Sequence, residues 1–252
     1  MAAVIRPLFV VAGVGNAAGT GAAAARAFSK AGYSVALIAR GQASLNALSE
    51  EIKSTGGEAA PFCMPSYTPG NFSSVFASIS SQFPASQYSM RAALFNIGYG
   101  VWKPFLEVTP EEVQESLDTN VAAAFSFSRE TILKFKENRI DAQNPNRGTL
   151  IFTGATASMR GNTRTSAFSI GKFGARALSQ SLAKEFGKDD IHVAHAIIDG
   201  QIMTGAALAR AGDNPPSGLS PDSIAQSYLY LANQEKSAWT WELDLRPAHE
   251  RW

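Results

Sequence analysis

Apolar and polar positions along the chain fall into two alternating kinds of run. Leu8–Ala12, Ser34–Ala39, Ala59–Cys63, Ala92–Phe95, Thr149–Phe152, His192–Ile198 and Trp239–Leu245 are short and mostly apolar without alternation. They read as strands of a sheet covered on both faces, because a strand with one wet face would alternate in polarity. Between them the spacing changes to that of amphipathic helices, over Thr20–Ala31, Ala43–Thr55, Asn71–Phe83, Pro110–Asn138, Thr165–Phe186 and Pro221–Ala232. Thr109-Pro110-Glu111-Glu112 has the form of a capping box with proline at the first helical position, and Ser220-Pro221-Asp222 is similar. Alternation of this kind, with right-handed crossovers, builds a doubly wound α/β fold: one parallel seven-stranded sheet with helices on both faces. No repeat or linker interrupts it, so residues 1–252 are expected to form a single Rossmann-type domain. The stretch Gly205–Leu219 breaks the pattern with Asn214-Pro215-Pro216 and small residues, and the region of about 200–220 reads as a substrate lid.

Composition narrows the partners. The chain is 45% hydrophobic and carries a formal charge of +1, which leaves no basic excess for nucleic acid or an anionic membrane. No apolar stretch approaches the roughly 20 residues of a membrane span, and no Lys/Arg-led apolar leader opens the sequence. Cys63 is the single cysteine, too few for a disulfide framework or a thiolate metal site, so no metal is expected and a reducing cytoplasm fits best. Small molecules are the expected partners.

The chemistry starts at the first strand–helix junction, Gly13-Val14-Gly15-Asn16-Ala17-Ala18-Gly19-Thr20-Gly21. Glycines there permit a tight turn and let backbone amides approach a pyrophosphate at the positive end of the following helix. The second strand ends in Arg40, where an adenine ribose would arrive. An arginine at that place suits a 2′-phosphate, as an acidic residue would suit a free hydroxyl, and points to NADP(H).

With these residues the chain resembles the short-chain dehydrogenase/reductase superfamily over nearly its whole length. Gly15-x-x-x-Gly19-x-Gly21 matches that family's cofactor loop, with Asn16 and Thr20 inside it. Phe95-Asn96-Ile97-Gly98 resembles its Asn-Asn-Ala-Gly segment, and Asn120 sits where the family has its helix asparagine. Lys172 takes the place of the Tyr-x-x-x-Lys lysine, and Asp199-Gly200-Gln201-Ile202-Met203-Thr204 resembles the segment that holds the nicotinamide amide. The resemblance implies a dinucleotide site using Gly15, Asn16, Gly19, Thr20, Gly21, Arg40, Asn96, Gly98, Lys172, Ile202 and Thr204. It also implies a homodimer or homotetramer formed through Pro110–Asn138 and Thr165–Phe186.

The departures bear on the reaction. The family's tyrosine, four residues before the lysine, is Phe168 here, and its serine is Ala155. Neither side chain can donate a proton to an alkoxide. The adenine-binding aspartate is absent from Met64-Pro65-Ser66, and Asp199 replaces the proline of Pro-Gly. Between Ala155 and Lys172 the only proton-bearing candidates are the hydroxyls of Thr156, Ser158, Thr163, Thr165, Ser166 and Ser169. Tyr99 reads as pocket wall or phenol donor, and His195 as a core histidine or an acid. Tyr99, Trp102, Phe105, Met159 and Met203 suggest an apolar or aromatic substrate.

An iminium carbon accepts hydride without building an oxyanion. The expected activity is therefore NADPH-dependent reduction of an activated, iminium-like double bond in specialised metabolism. In this reading Asn120 and Lys172 act at the nicotinamide ribose, and Asp199 offers its charge to the cation. Tyr-less relatives in fungal alkaloid pathways combine iminium reduction with a Diels–Alder cyclisation, using an aspartate where this chain has Thr163-Arg164-Thr165-Ser166. A non-redox cyclase holding NADP as a structural element and a catalytically dead dinucleotide-binding sensor are the alternatives.

Overall fold

The computed structural model describes residues 5–142, 144–205, 207 and 218–248. Seven strands form one sheet in the order β3-β2-β1-β4-β5-β6-β7. They are β1 (Arg6–Ala12), β2 (Ser34–Ala39), β3 (Ala59–Cys63), β4 (Tyr88–Phe95), β5 (Gly148–Thr153), β6 (Ile191–Ile198) and β7 (Glu242–Leu245), and all neighbours are parallel. The helices are α1 (Thr20–Lys30), α2 (Gln42–Ser54), α3 (Pro69–Gln82), α4 (Pro110–Leu117), α5 (Ala123–Lys136), α6 (Ser166–Phe186) and α7 (Pro221–Ala232).

The run of apolar residues in each central strand divides by parity between two cores. Phe9 and Val11 of β1 join Leu37, Leu94, Phe28 of α1, Leu48 of α2 and Tyr228 of α7 on one face. Leu8 and Val10 join Ile38, Phe95, Phe72 of α3 and Phe127 of α5 on the other. Every β1 residue from Leu8 to Ala12 is buried, which is why the strand shows no polar alternation.

Most boundaries fall within two residues of the pattern, and three elements depart from it further. Strand β4 begins at Tyr88 because Ser89 and Arg91 interrupt its apolar run, and the pairing with β1 shifts register between Leu8 and Phe9, opposite Met90 and Ala92. The guanidinium of Arg91 donates to the carbonyls of Arg139 and Asn146. The stretch Pro110–Asn138 is not one helix: a π-helical turn, Asp118–Ala122, separates α4 from α5. Finally β7 starts at Glu242, because Trp239 leaves the strand line to stack on the His192 ring at 4.9 Å. The capping box forms as read: Thr109 Oγ1 accepts from Glu112 N at 3.3 Å and Glu112 Oε2 accepts from Thr109 N at 3.0 Å. Of the stretch read as a lid, residues 206 and 208–217 lie outside the described residues.

Candidate active site

Strand order reverses between β1 and β4, so the connections that leave their carboxyl ends part to opposite faces and open a crevice. Glycine is required at its floor. Gly13 has φ +100°, and a Cβ there would come within 2.7 Å of the Asn96 backbone carbon; a Cβ on Gly21 would come within 2.2 Å of the Gly13 carbonyl oxygen. Around Gly15 and Gly19 there is open space instead. Among the described residues no side chain caps the start of α1 and the buried Thr20 hydroxyl has no partner, and the first turn of the helix holds no acid. Unpaired donors facing an open, glycine-lined turn fit a pyrophosphate. Asn16 is exposed in this loop, its Oδ1 accepting from Ala18 N at 3.4 Å.

At the far end of the crevice the Arg40 guanidinium lies 5.1 Å from the centroid of the Tyr67 ring. Tyr67 escaped the sequence reading, since nothing in its spacing marks it as a plate beneath an arginine. The pair gives an exposed cation a fixed place beside the end of β2, which fits a ribose phosphate.

Hydrogen bonds tie the crevice to the strand ends. Asn96 Nδ2 donates to the Gly13 carbonyl at 2.7 Å, and Asn96 Oδ1 accepts from the Thr153 hydroxyl at 2.8 Å. Thr153 Oγ1 in turn lies 2.9 Å from the hydroxyl of Tyr228, a phenol that burial pushes up. Lys172 Nζ donates to the Thr153 carbonyl at 3.2 Å. A Cβ on Gly98 would meet Lys172 Nζ at 3.4 Å and Asn120 Oδ1 at 3.6 Å, so these three groups converge. Asn120 is fully buried on the π-helical turn; its Nδ2 donates to the carbonyl of Tyr99 at 2.9 Å and its Oδ1 accepts from Tyr99 N at 3.3 Å. It therefore fixes the loop that carries Tyr99. Lys172 is buried without a carboxylate among the described residues, and burial draws its amine down to about 8.

Phe168 stands one turn before Lys172, its ring centroid 5.9 Å from Nζ, and packs on Trp102 at 5.1 Å. Trp102 and Phe105 are 60% and 75% exposed, and Met159 37%, an apolar rim on the loops after β4 and β5. The neighbouring hydroxyls are mostly engaged: Ser158 Oγ accepts from Ala155 N at 3.1 Å, and Thr165 bonds Ser169 at 3.0 Å. Beyond β6, Ile202 bridges to Leu219, Thr204 N donates to the Ile202 carbonyl, and Met203 packs against Gly218.

Asp199 requires a correction. Its carboxylate is 2% exposed and closed off by Thr156 Oγ1, Arg160 Nη2 at 3.2 Å and Arg246 Nη2 at 2.8 Å. Two guanidinium groups leave it no spare charge for a cationic substrate. What it does is pin the loop after β5 to the end of β7, a clamp whose partners lie too far apart in sequence to be foreseen.

His195 is likewise core. Its ring lies where a Cβ on Gly154 would be, at 2.4 Å, and its Nδ1 is 3.5 Å from Glu242, which a bidentate Arg176 already holds. Burial lowers its pKa from 6.5 to about 4. The folded state thus refuses a proton that the unfolded state takes, and stability falls as pH drops from 6.5 to about 4, by about 3 kcal/mol in all. His195→Gln is expected to flatten this acid limb, as read from urea midpoints against pH; an unchanged limb would remove His195 as its cause.

The family model for the short chain dehydrogenases matches residues 10–211. A 3alpha-hydroxysteroid dehydrogenase of Mediterraneibacter gnavus is 31% identical over 157 residues, 59% of this chain, and the chain spans 60% of that relative's length. A solved short-chain dehydrogenase of Rhodopseudomonas palustris is 30% identical, covering 96% of this chain and 98% of its own, with a TM-score of 0.77. A metagenomic short-chain oxidoreductase solved in complex with NADP is 21% identical, with coverage of 97% and 98% and a TM-score of 0.78, a likeness of fold. The glycine-floored crevice, the Asn96–Thr153–Lys172 linkage and these matches agree, and the chain belongs to the short-chain dehydrogenase family of NAD(P)-dependent oxidoreductases.

Proposed function

We propose that this chain is an NADPH-dependent reductase of an iminium-like double bond. The observation that carries the reading is the pair Phe168 and Ala155, which puts a hydrocarbon at both places where a relative reducing a ketone has hydroxyls. Reduction of a carbonyl builds negative charge on oxygen, and loss of the acid that meets it typically costs ~10²–10⁴ in rate. Reduction of C=N⁺ ends in a neutral amine and needs no such acid.

NADPH, when bound, supplies the hydride. The loop of Gly15, Asn16, Gly19, Thr20 and Gly21 receives the pyrophosphate, Arg40 the 2′-phosphate, and Asn96 and Gly98 shape the floor between them. Lys172 holds the nicotinamide ribose, Asn120 supports it by fixing the Tyr99 loop beside that lysine, and Ile202 and Thr204 offer backbone groups to the amide. Asp199 acts as a positioning residue through Thr156, Arg160 and Arg246, and the rate comes from orientation. Trp102, Phe168 and Met159 favour an apolar or aromatic substrate. Phe125, Ile170 and Phe173, exposed on α5 and α6, fit the apolar seam of a homodimer or homotetramer. Among the described residues no helix is long and apolar enough to cross a membrane, and a cytoplasmic role in specialised metabolism fits the chain.

The expected result is NADPH oxidation, followed by loss of its absorbance, with a panel of aromatic cyclic imines and little or none with simple ketones. Brisk turnover of ketones would refute the reading. The second reading is a dinucleotide-binding sensor, which the same two hydrocarbon positions favour: tight NADPH binding with no oxidation of the panel would establish it.

A further inference from the structure

We infer that the substrate carries a carboxylate, that Arg164 binds it, and that the substrate class is therefore a cyclic imino acid. This rests on the imine reading above and names the group that the charge around the cleft selects.

Three observations converge on Arg164. The connection from β5 to α6, residues 154–165, holds Arg160 and Arg164 and no acidic residue. Arg160 is already matched through Asp199, and Arg246 through Asp199 and Asp244. Lys103, on the facing loop, is matched by Glu112. Arg164 is left with no carboxylate among the described residues, its guanidinium meeting only the Trp102 carbonyl at 3.4 Å.

Its place is the mouth of the substrate cleft. Arg164 sits four residues before Phe168, and the loop is strapped to the wall opposite, since Lys103 N donates to the Arg164 carbonyl at 3.0 Å while the Trp102 ring packs on Phe168. Finally, Arg164 has φ +66°, a left-handed backbone that crowds a residue carrying a Cβ. Glycine would be the low-cost occupant. Such strain is held where the surrounding structure and the side chain's task require it.

A planar guanidinium with free donors suits a carboxylate. Among the described residues the cleft offers no spare negative charge to a bare cation, because Asp199 is closed and the β5–α6 loop has none. A zwitterion resolves this: the carboxylate meets Arg164, and the iminium carbon is held by that contact against the apolar side made by Trp102 and Phe168. In the step itself the iminium carbon accepts a hydride from NADPH and forms a C–H bond. The C–N π pair moves onto nitrogen, and a cyclic amino acid and NADP⁺ result, with no proton required.

The test compares 3,4-dihydroisoquinoline with its 3-carboxylate as NADPH oxidants, and the saturated amine with its 3-carboxylate as ligands of the NADP-bound enzyme by calorimetry. The carboxylated member of each pair is expected to win by about tenfold or more in KM or Kd. Arg164→Gly, which suits the left-handed backbone, is expected to bring that ratio to within about twofold of one. NADPH affinity of Arg164→Gly is measured alongside; a loss there would assign the guanidinium to a cofactor phosphate and overturn the proposal. Equal handling of both members by the wild-type protein overturns it too. If neither imine is reduced, the reductase reading falls, and the calorimetric ratio alone still decides whether Arg164 is a carboxylate site.

Discussion

In the double variant Phe168→Tyr with Ala155→Ser, reduction of simple ketones by NADPH is expected to rise by about 10²-fold or more over the parent. The phenol adds one oxygen to a ring whose centroid lies 5.9 Å from Lys172 Nζ, so the new hydroxyl enters the field of an ammonium. A cation there favours the phenolate and makes the phenol a better acid, against the opposite push of burial. Lys172 itself is unmatched by any carboxylate among the described residues, which leaves its charge available for that purpose. Ala155 lies in extended backbone, φ −152°, directly before the Thr156 that Asp199 holds, so a serine there projects from a fixed segment. Each single change is expected to yield less than the pair, and Lys172→Ala in the double background is expected to remove the gain. Ketone turnover with a nicotinamide absorbance readout measures the four variants against the parent. A double variant that binds NADPH as the parent does and still leaves ketones untouched would show that something other than these two hydrocarbons bars the reaction.

The second large effect separates two glycines two residues apart. Gly21→Ala is expected to destabilise the fold by about 3 kcal/mol or more, because the added carbon would sit 2.2 Å from the Gly13 carbonyl oxygen and 2.9 Å from Asn96 Nδ2. One neighbour is backbone, and the other is held between Gly13 and Thr153, so neither gives way cheaply. Gly19→Ala meets nothing within 4 Å and has an ordinary φ of −98°. Its stability is expected to stay within about 1 kcal/mol of the parent, while its methyl intrudes on the open space beside uncapped amides of α1 and weakens NADPH binding by about tenfold or more. Urea midpoints and NADPH titration read the two effects separately. Normal NADPH affinity in Gly19→Ala would deny that the open turn is the phosphate cradle.

How much of this was legible in the chain depends on the reach of each interaction. The strands are readable because a doubly covered sheet demands apolar residues on both faces, and the caps of α4 and α7 because Thr109 and Ser220 act within three residues. Polar interruptions hid the first half of β4, where Arg91 is satisfied by carbonyls some 50 residues away. Position in the chain could put Asn120 on a helix, but only the fold shows the helix widening to a π-helical turn there, with the amide turned to the backbone of Tyr99. The same limit explains Asp199. At the end of a strand it read as a free charge, whereas two arginines from other connections close it.

The sequence by itself therefore determined the sheet, its glycine-floored turn, and the absence of a phenol and a hydroxyl at Phe168 and Ala155, since periodicity, backbone freedom and side-chain identity are local properties. Which charges are spent and which remain available was decided only in three dimensions. An ion pair depends on distance through space, and the partners that silence Asp199 and leave Arg164 unmatched come from connections that are remote along the chain and meet at the carboxyl edge of one sheet.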